Sequence, residues 1–163
     1  MKPHRIRYWL TAKPDQRFDE KCKDICSVYA AAQERAKEGV RTASIDEMTG
    51  IQALERTAPS LPMRPGLVER REYEYISHGT QTLIADFDVA TGKVSGTVGA
   101  SRTEEDFAAF LDRLIASEPP SVKWEIIADN LNTHLSESVV KVVASHSGIN
   151  EDLGLKGKNG VLR

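Results

Sequence analysis

The stretch Ile126-Ile-Ala-Asp-Asn-Leu-Asn-Thr-His134 (IIADNLNTH, residues 126–134) joins the end of an apolar strand to two polar residues, Asp129 and Asn130. A carboxylate where a hydrophobic strand emerges is either a local turn device or one arm of a metal or acid-base site. The preceding VKWEII is apolar enough at its end to sit centrally in a sheet. After it, Leu135, Val139, Val142 and Val143 recur at helical spacing, with Asn132 or Thr133 as the expected N-cap. A strand, a polar turn and a helix in this order are one half of an α/β unit.

Working backward, SRTE (101–104) has the form of a capping box. It opens a predicted helix whose Phe107, Phe110, Leu111, Leu114 and Ile115 share a face and which stops at Pro119-Pro120. GTQTLIADFDVATGKVSGTVG (79–99) reads as an antiparallel hairpin, with odd and even residues alternating and a turn at Thr91-Gly92. VRTASID (40–46) reads as a strand ending near Asp46, with EMTG as its turn and residues 51–56 as a short extended piece. PSLPMRP (59–65) is a surface loop. Residues 18–37 carry Phe18, Cys22, Ile25, Cys26, Tyr29 and Ala36 at helical spacing, with Gly39 as the C-cap. The order strand, hairpin, helix, strand, helix predicts a mixed sheet flanked by helices.

The chain of 163 residues suits one domain with an appended arm. A hydrophobic fraction of 40% and a charged fraction of 28% describe a globular protein without a membrane-spanning segment. The charged N-terminus lacks the apolar core of a signal peptide, so the expected location is cytoplasmic. Cys22 and Cys26 suit reduced thiols better than a disulfide framework, and no spacing of Cys and His suggests zinc.

The net charge of −2 conceals a segregation of charge along the chain. Residues 1–45 hold ten Lys or Arg against six Asp or Glu, whereas 46–100 hold five against eight and 101–163 hold seven against ten. Lys2, Arg5, Arg7 and Lys13 surround Tyr8 and Trp9 with no acid among them. This pattern is either a solvated terminus or an extended arm suited to a phosphate backbone.

Asp46 and Asp129 both finish predicted strands. On neighbouring parallel strands such ends lie side by side, and like charges held that close call for a cation or a proton between them. Mg²⁺ or Mn²⁺ would be the natural mate, with phosphodiester chemistry on nucleic acid as the consequence. Each aspartate has an alternative as a hydrogen-bond acceptor in its own turn. Glu47 points away from Asp46 on an extended strand and is expected at a surface or turn, and Asp86 and Asp88 are expected on an outward polar face. Asn130 and His134 are close enough to Asp129 to touch a phosphate or orient a bound water, or else serve as cap and packed imidazole. An aspartyl-phosphate enzyme with Asp46 as nucleophile is a rival, although Met48 stands where its second aspartate usually falls.

KPHRIRYWL, DEMTGIQALER, RREYEYISHGTQTLIADFDVATGKV, RTEEDF and DNLNTH together resemble the catalytic domain of IS630-type transposases, in the Tc1/mariner group of DDE endonucleases. The resemblance covers nearly the whole chain. It implies a ribonuclease-H-like mixed sheet, incomplete at the C-terminus, with Asp46 and Asp129 as the first two members of an acidic metal-binding triad using Mg²⁺ or Mn²⁺. It also implies DNA, as transposon ends and target, for a partner, with a homodimer as a further expectation. Residues 1–17 then read as the join to an upstream helix-turn-helix module and residues 18–163 as a partial endonuclease domain. The third acid would fall beyond Arg163, because Glu151 and Asp152 come before LGLKGKNGVL, which looks like the approach to a further strand. The implied function is that of a transposase fragment, inactive alone. The alternatives are a non-catalytic DNA-binding or inhibitory remnant and the aspartyl-phosphate enzyme.

Overall fold

The computed structural model describes residues 15–154. Lys2, Arg5, Arg7 and Lys13, and with them most of the expected basic arm, lie outside the described residues. The elements run α1 (Phe18–Lys37), β1 (Val40–Arg56), β2 (Tyr75–Asp88), β3 (Val94–Gly99), α2 (Glu104–Ala116), β4 (Lys123–Ile127), a 3₁₀ turn (Asn132–Leu135) and α3 (Glu137–His146). They build a ribonuclease-H-like mixed sheet in the order β3-β2-β1-β4. Both β1/β2 and β2/β3 are antiparallel, whereas β1 and β4 run parallel.

Alternation along β1 divides the two faces. Ile45 joins Ile84, Phe107, Ala108, Phe110, Leu111 and Val139 in the core beneath α2 and α3. Each large aliphatic or aromatic side chain buried there contributes about 1.5–3 kcal/mol. Ser44, the next residue back, faces the other way and accepts a 3.0 Å hydrogen bond from the Tyr29 hydroxyl of α1. The core face of β2 is the chemically mixed set Thr82, Ile84 and Asp86. Asp86 is buried and accepts from the Ser95 hydroxyl on β3, so the expected outward polar face is corrected there. A buried carboxylate requires such a donor.

Three local expectations also change. β1 does not turn at Glu47-Met48-Thr49-Gly50. It continues to Arg56 against the long β2, absorbing irregularities between Met48 and Ile51 and between Gln52 and Leu54. Gly50 supplies a φ of +70° in the first of these. The capping box lies two residues later than the spacing suggested: Thr103 Oγ1 accepts from the Asp106 amide, while Asp106 accepts from the Thr103 amide. α3 is capped by Ser136, leaving residues 132–135 free to form the separate 3₁₀ turn.

Beyond Met48, β1 and β2 form a two-stranded ribbon whose side chains are mostly exposed. Two isolated bridges, Leu61 to Arg70 and Arg64 to Leu67, close its tip around Pro65-Gly66. Among the described residues β4 is an edge strand, paired with β1 alone. A hollow of about 830 Å³ opens beside it, lined in part by Trp124, Ile126 and Val143. No helix of the described residues is long and apolar enough to cross a membrane.

Candidate active site where two parallel strands part

The last register pair of β1 and β4 is Ser44 with Ile127. Asp46 and Asp129 each stand two residues beyond that pair, where β1 and β4 part: β1 runs on against β2, with Asp46 opposite Ala85, while Asp129 lies in the loop after β4. Both line one shallow, open depression of about 360 Å³, together with Ile25 of α1 and with Ser44, Ile127 and Ala128. The two acids, 83 residues apart in sequence, are brought together by the parallel pairing, and both are exposed.

Each carboxylate is held by one oxygen. Asp46 Oδ1 accepts the Glu47 amide at 2.8 Å. Asp129 Oδ1 accepts the Leu131 amide at 3.0 Å and lies 2.9 Å from His134 Nδ1. The turn role considered for Asp129 is therefore real, whereas Asp46 accepts its neighbour's amide within a continuous strand and not in a turn; in both, the bond occupies Oδ1 and leaves Oδ2 without a partner among the described residues. Two free carboxylate oxygens at one rim form a hard donor set, which fits Mg²⁺ or Mn²⁺ and no soft metal. Among the described residues no group of three or more His, Cys, Asp or Glu side chains converges on a metal position.

Glu47 is the residue that sequence reasoning misplaced. It does point away from Asp46, but the opposite face is the protein interior: its side chain is 3% exposed, and its Oε1 lies 2.9 Å from His134 Nε2. His134 is likewise buried and does not line the depression. Its ring packs on Phe107 with centroids 4.1 Å apart, and Nδ1 also lies 3.0 Å from the Asp129 carbonyl oxygen. Both ring nitrogens thus face acceptors. Burial opposes charging of the ring, but the Asp129 carbonyl, the Glu47 carboxylate and the Asp129 carboxylate outweigh it, and His134 titrates above the ordinary histidine value. The signal available in sequence was the alternation itself, since the neighbour of a rim residue on a two-faced sheet points to the core.

Asn130 is exposed next to Asp129 and is not part of the lining. Thr133 Oγ1 is buried without a hydrogen-bond partner. Asp88 is tied to Arg41 and to the hairpin turn, well engaged away from the acids. Glu151 and Asp152 are exposed and outside the lining, with Asp152 accepting from the Gly154 amide. Cys22 and Cys26 are free and exposed.

The family of DDE superfamily endonucleases matches residues 41–156, which span β1 through α3 and contain both acids. The chain belongs to the DDE superfamily endonucleases. Among solved structures, this DDE domain is similar to the Mos1 transposase paired-end complex with left transposon end, at 15% identity and a TM-score of 0.49. It is also similar to the mariner Mos1 paired-end complex with Mg, at 15% identity and a TM-score of 0.46. A third is a pre-cleavage Mos1 transpososome, at 14% identity and a TM-score of 0.44. In the first two comparisons 86% of the DDE domain's chain is covered against 44% of the Mos1 chain, so it spans less than half the length of these relatives. No curated protein matches.

Proposed function

We propose that the chain is the catalytic-domain segment of a DNA transposase, supplying two of the carboxylates for metal-dependent DNA strand cleavage and strand transfer. What supports this most is one observation: Asp46 and Asp129 line the same depression where the parallel pairing of β1 and β4 ends, in a chain of the DDE family. The free Oδ2 atoms of the two aspartates are the atoms that would hold Mg²⁺ or Mn²⁺. The amides of Glu47 and Leu131 hold the opposite oxygens, which restrains each carboxylate before a cation arrives. A bound divalent ion would activate an attacking water or 3′-hydroxyl and stabilise the leaving oxygen.

On this reading DNA is the substrate. Lys2, Arg5, Arg7 and Lys13 contact its phosphates from the N-terminal arm, and the working unit is a homodimer. Residues 1–17 connect to a DNA-binding module, and residues 18–163 form the partial endonuclease domain. A third carboxylate is supplied from outside the pair, by chain beyond the described residues or by another chain, and without it turnover is negligible. A nuclease assay on supercoiled DNA with Mg²⁺ or Mn²⁺ tests this. The isolated chain is expected to leave the DNA intact; robust cleavage abolished by Asp129→Asn would overturn the dependence on a third acid and keep the site. Cleavage indifferent to Asp129→Asn would remove the site itself.

A further inference from the structure

We infer that Glu47 and His134 form a buried strut that positions the Asp129 carboxylate, making both of them positioning residues for the proposed metal site. The inference rests on the reading of Asp46 and Asp129 as ligands. Its geometry is independent of any metal.

Asp129 sits in the loop after β4 and is largely exposed, so backbone pairing does not fix its side chain. Two contacts meet its Oδ1: the hydrogen bond from the Leu131 amide and the 2.9 Å ion-pair contact with His134 Nδ1, which also lies in hydrogen-bond reach of the Asp129 carbonyl oxygen and so holds the backbone of the same residue. The imidazole can act as a fixed arm only if it is itself immobile. Glu47 Oε1 holds Nε2 from the far side, and the Phe107 ring lies against its face. Glu47 belongs to β1, next in sequence to Asp46. The strut therefore references Asp129 to the strand that carries the other acid, and a shift of β1 moves both carboxylates together. Groups of this kind, which orient a metal-binding side chain from behind, typically change metal affinity by about 10–100-fold when removed. Adjacent acids thereby take separate tasks, because a strand sends successive side chains to opposite faces.

The test uses the full chain and two measurements. The first, without metal, is hydrogen exchange at the Leu131 amide, which reports whether Asp129 Oδ1 is still held. The second is Mn²⁺ binding, followed by the electron paramagnetic resonance signal of the free ion. Variants are Glu47→Leu, His134→Gln and Glu47→Gln, with circular dichroism to confirm folding. His134→Gln spares the fold by keeping a donor toward Glu47 while losing the contact to Asp129. Glu47→Gln keeps an acceptor for Nε2.

Glu47→Leu and His134→Gln are expected to speed Leu131 exchange and weaken Mn²⁺ binding about 10–100-fold. Glu47→Gln is expected to restore both most of the way, which a general loss of packing would not do. Unchanged Leu131 exchange in His134→Gln and Glu47→Leu overturns the strut whatever happens to the metal. Faster exchange combined with Mn²⁺ binding that ignores Asp46→Asn and Asp129→Asn leaves the strut standing and overturns the two-aspartate reading.

Discussion

Asp46→Asn should make the metal-free protein more stable than wild type and lose that advantage when the metal is bound. Neighbouring strands run about 4.8 Å apart, and the magnitude is worked for two charges roughly 6 Å apart, a little beyond that spacing. At an exposed rim, with an effective dielectric of about 40–80, that repulsion amounts to about 0.7–1.4 kcal/mol at low salt. The asparagine keeps an Oδ1 to accept the Glu47 amide, so the local turn survives and only the charge is lost. In EDTA the urea-unfolding free energy should therefore rise by about 0.5–1.5 kcal/mol. With Mg²⁺ at ten times its dissociation constant the wild type gains about 1.4 kcal/mol, a gain the variant forgoes. The two stability orders thus converge or cross between EDTA and magnesium. An Asp46→Asn variant less stable than wild type in EDTA, or one with an undiminished magnesium shift, would refute the reasoning, because neither result fits two like charges sharing a cation.

Phe107→Ala removes a ring that is 3% exposed and stacked on His134, so denaturant unfolding should show a loss of about 3–5 kcal/mol. Thr103→Ala breaks the capping box of α2 and should cost about 1 kcal/mol in the same measurement. The Thr103 amide, with the Ser101 and Thr103 hydroxyls, holds Asp106 below its ordinary value of 3.8, so its contribution is complete above that value and fades as pH falls through the lower folded value. An acid titration of stability should accordingly be flatter below about pH 4 in Asp106→Asn than in wild type. For the basic arm, DNA affinity should fall steeply with salt, and each neutralising change among Lys2, Arg5 and Arg7 should reduce the slope of log K against log[salt] by about one.

The pairing of Asp46 with Asp129 could be anticipated because Asp129 follows one apolar strand and Asp46 the apolar first part of another, and parallel neighbours bring equivalent positions together whatever the length of chain between them. The hairpin was legible in its alternation and its Thr91-Gly92 turn, and α2 in its 3.6-residue apolar stripe. The length of β1 was not: MTGIQALER lacks a clean alternation, and what keeps it extended is pairing with β2, a tertiary fact. Gly50 looked like a turn and proved to be a bulge, a choice that depends on whether a partner strand continues alongside. The Asp86–Ser95 and Glu47–His134 contacts escaped for a related reason. A polar residue reads as exposed unless its partner is known, and Glu47 meets a histidine 87 positions away.

The bulges of β1 fall between Met48 and Ile51 and between Gln52 and Leu54, downstream of the acidic dipeptide and on the ribbon side. An extra or missing residue in the ribbon can be taken up at these irregularities, while the pairs from Ala43–Asp88 to Met48–Leu83 stay in step. The same one-residue change upstream of Ser44 would exchange inside for outside, sending Asp46 into the core and Glu47 to the rim. The ribbon is thus free to lengthen, shorten or diverge between homologues, whereas the three residues between Thr42 and Asp46 and the strand partnering them can accept substitutions but no insertion or deletion.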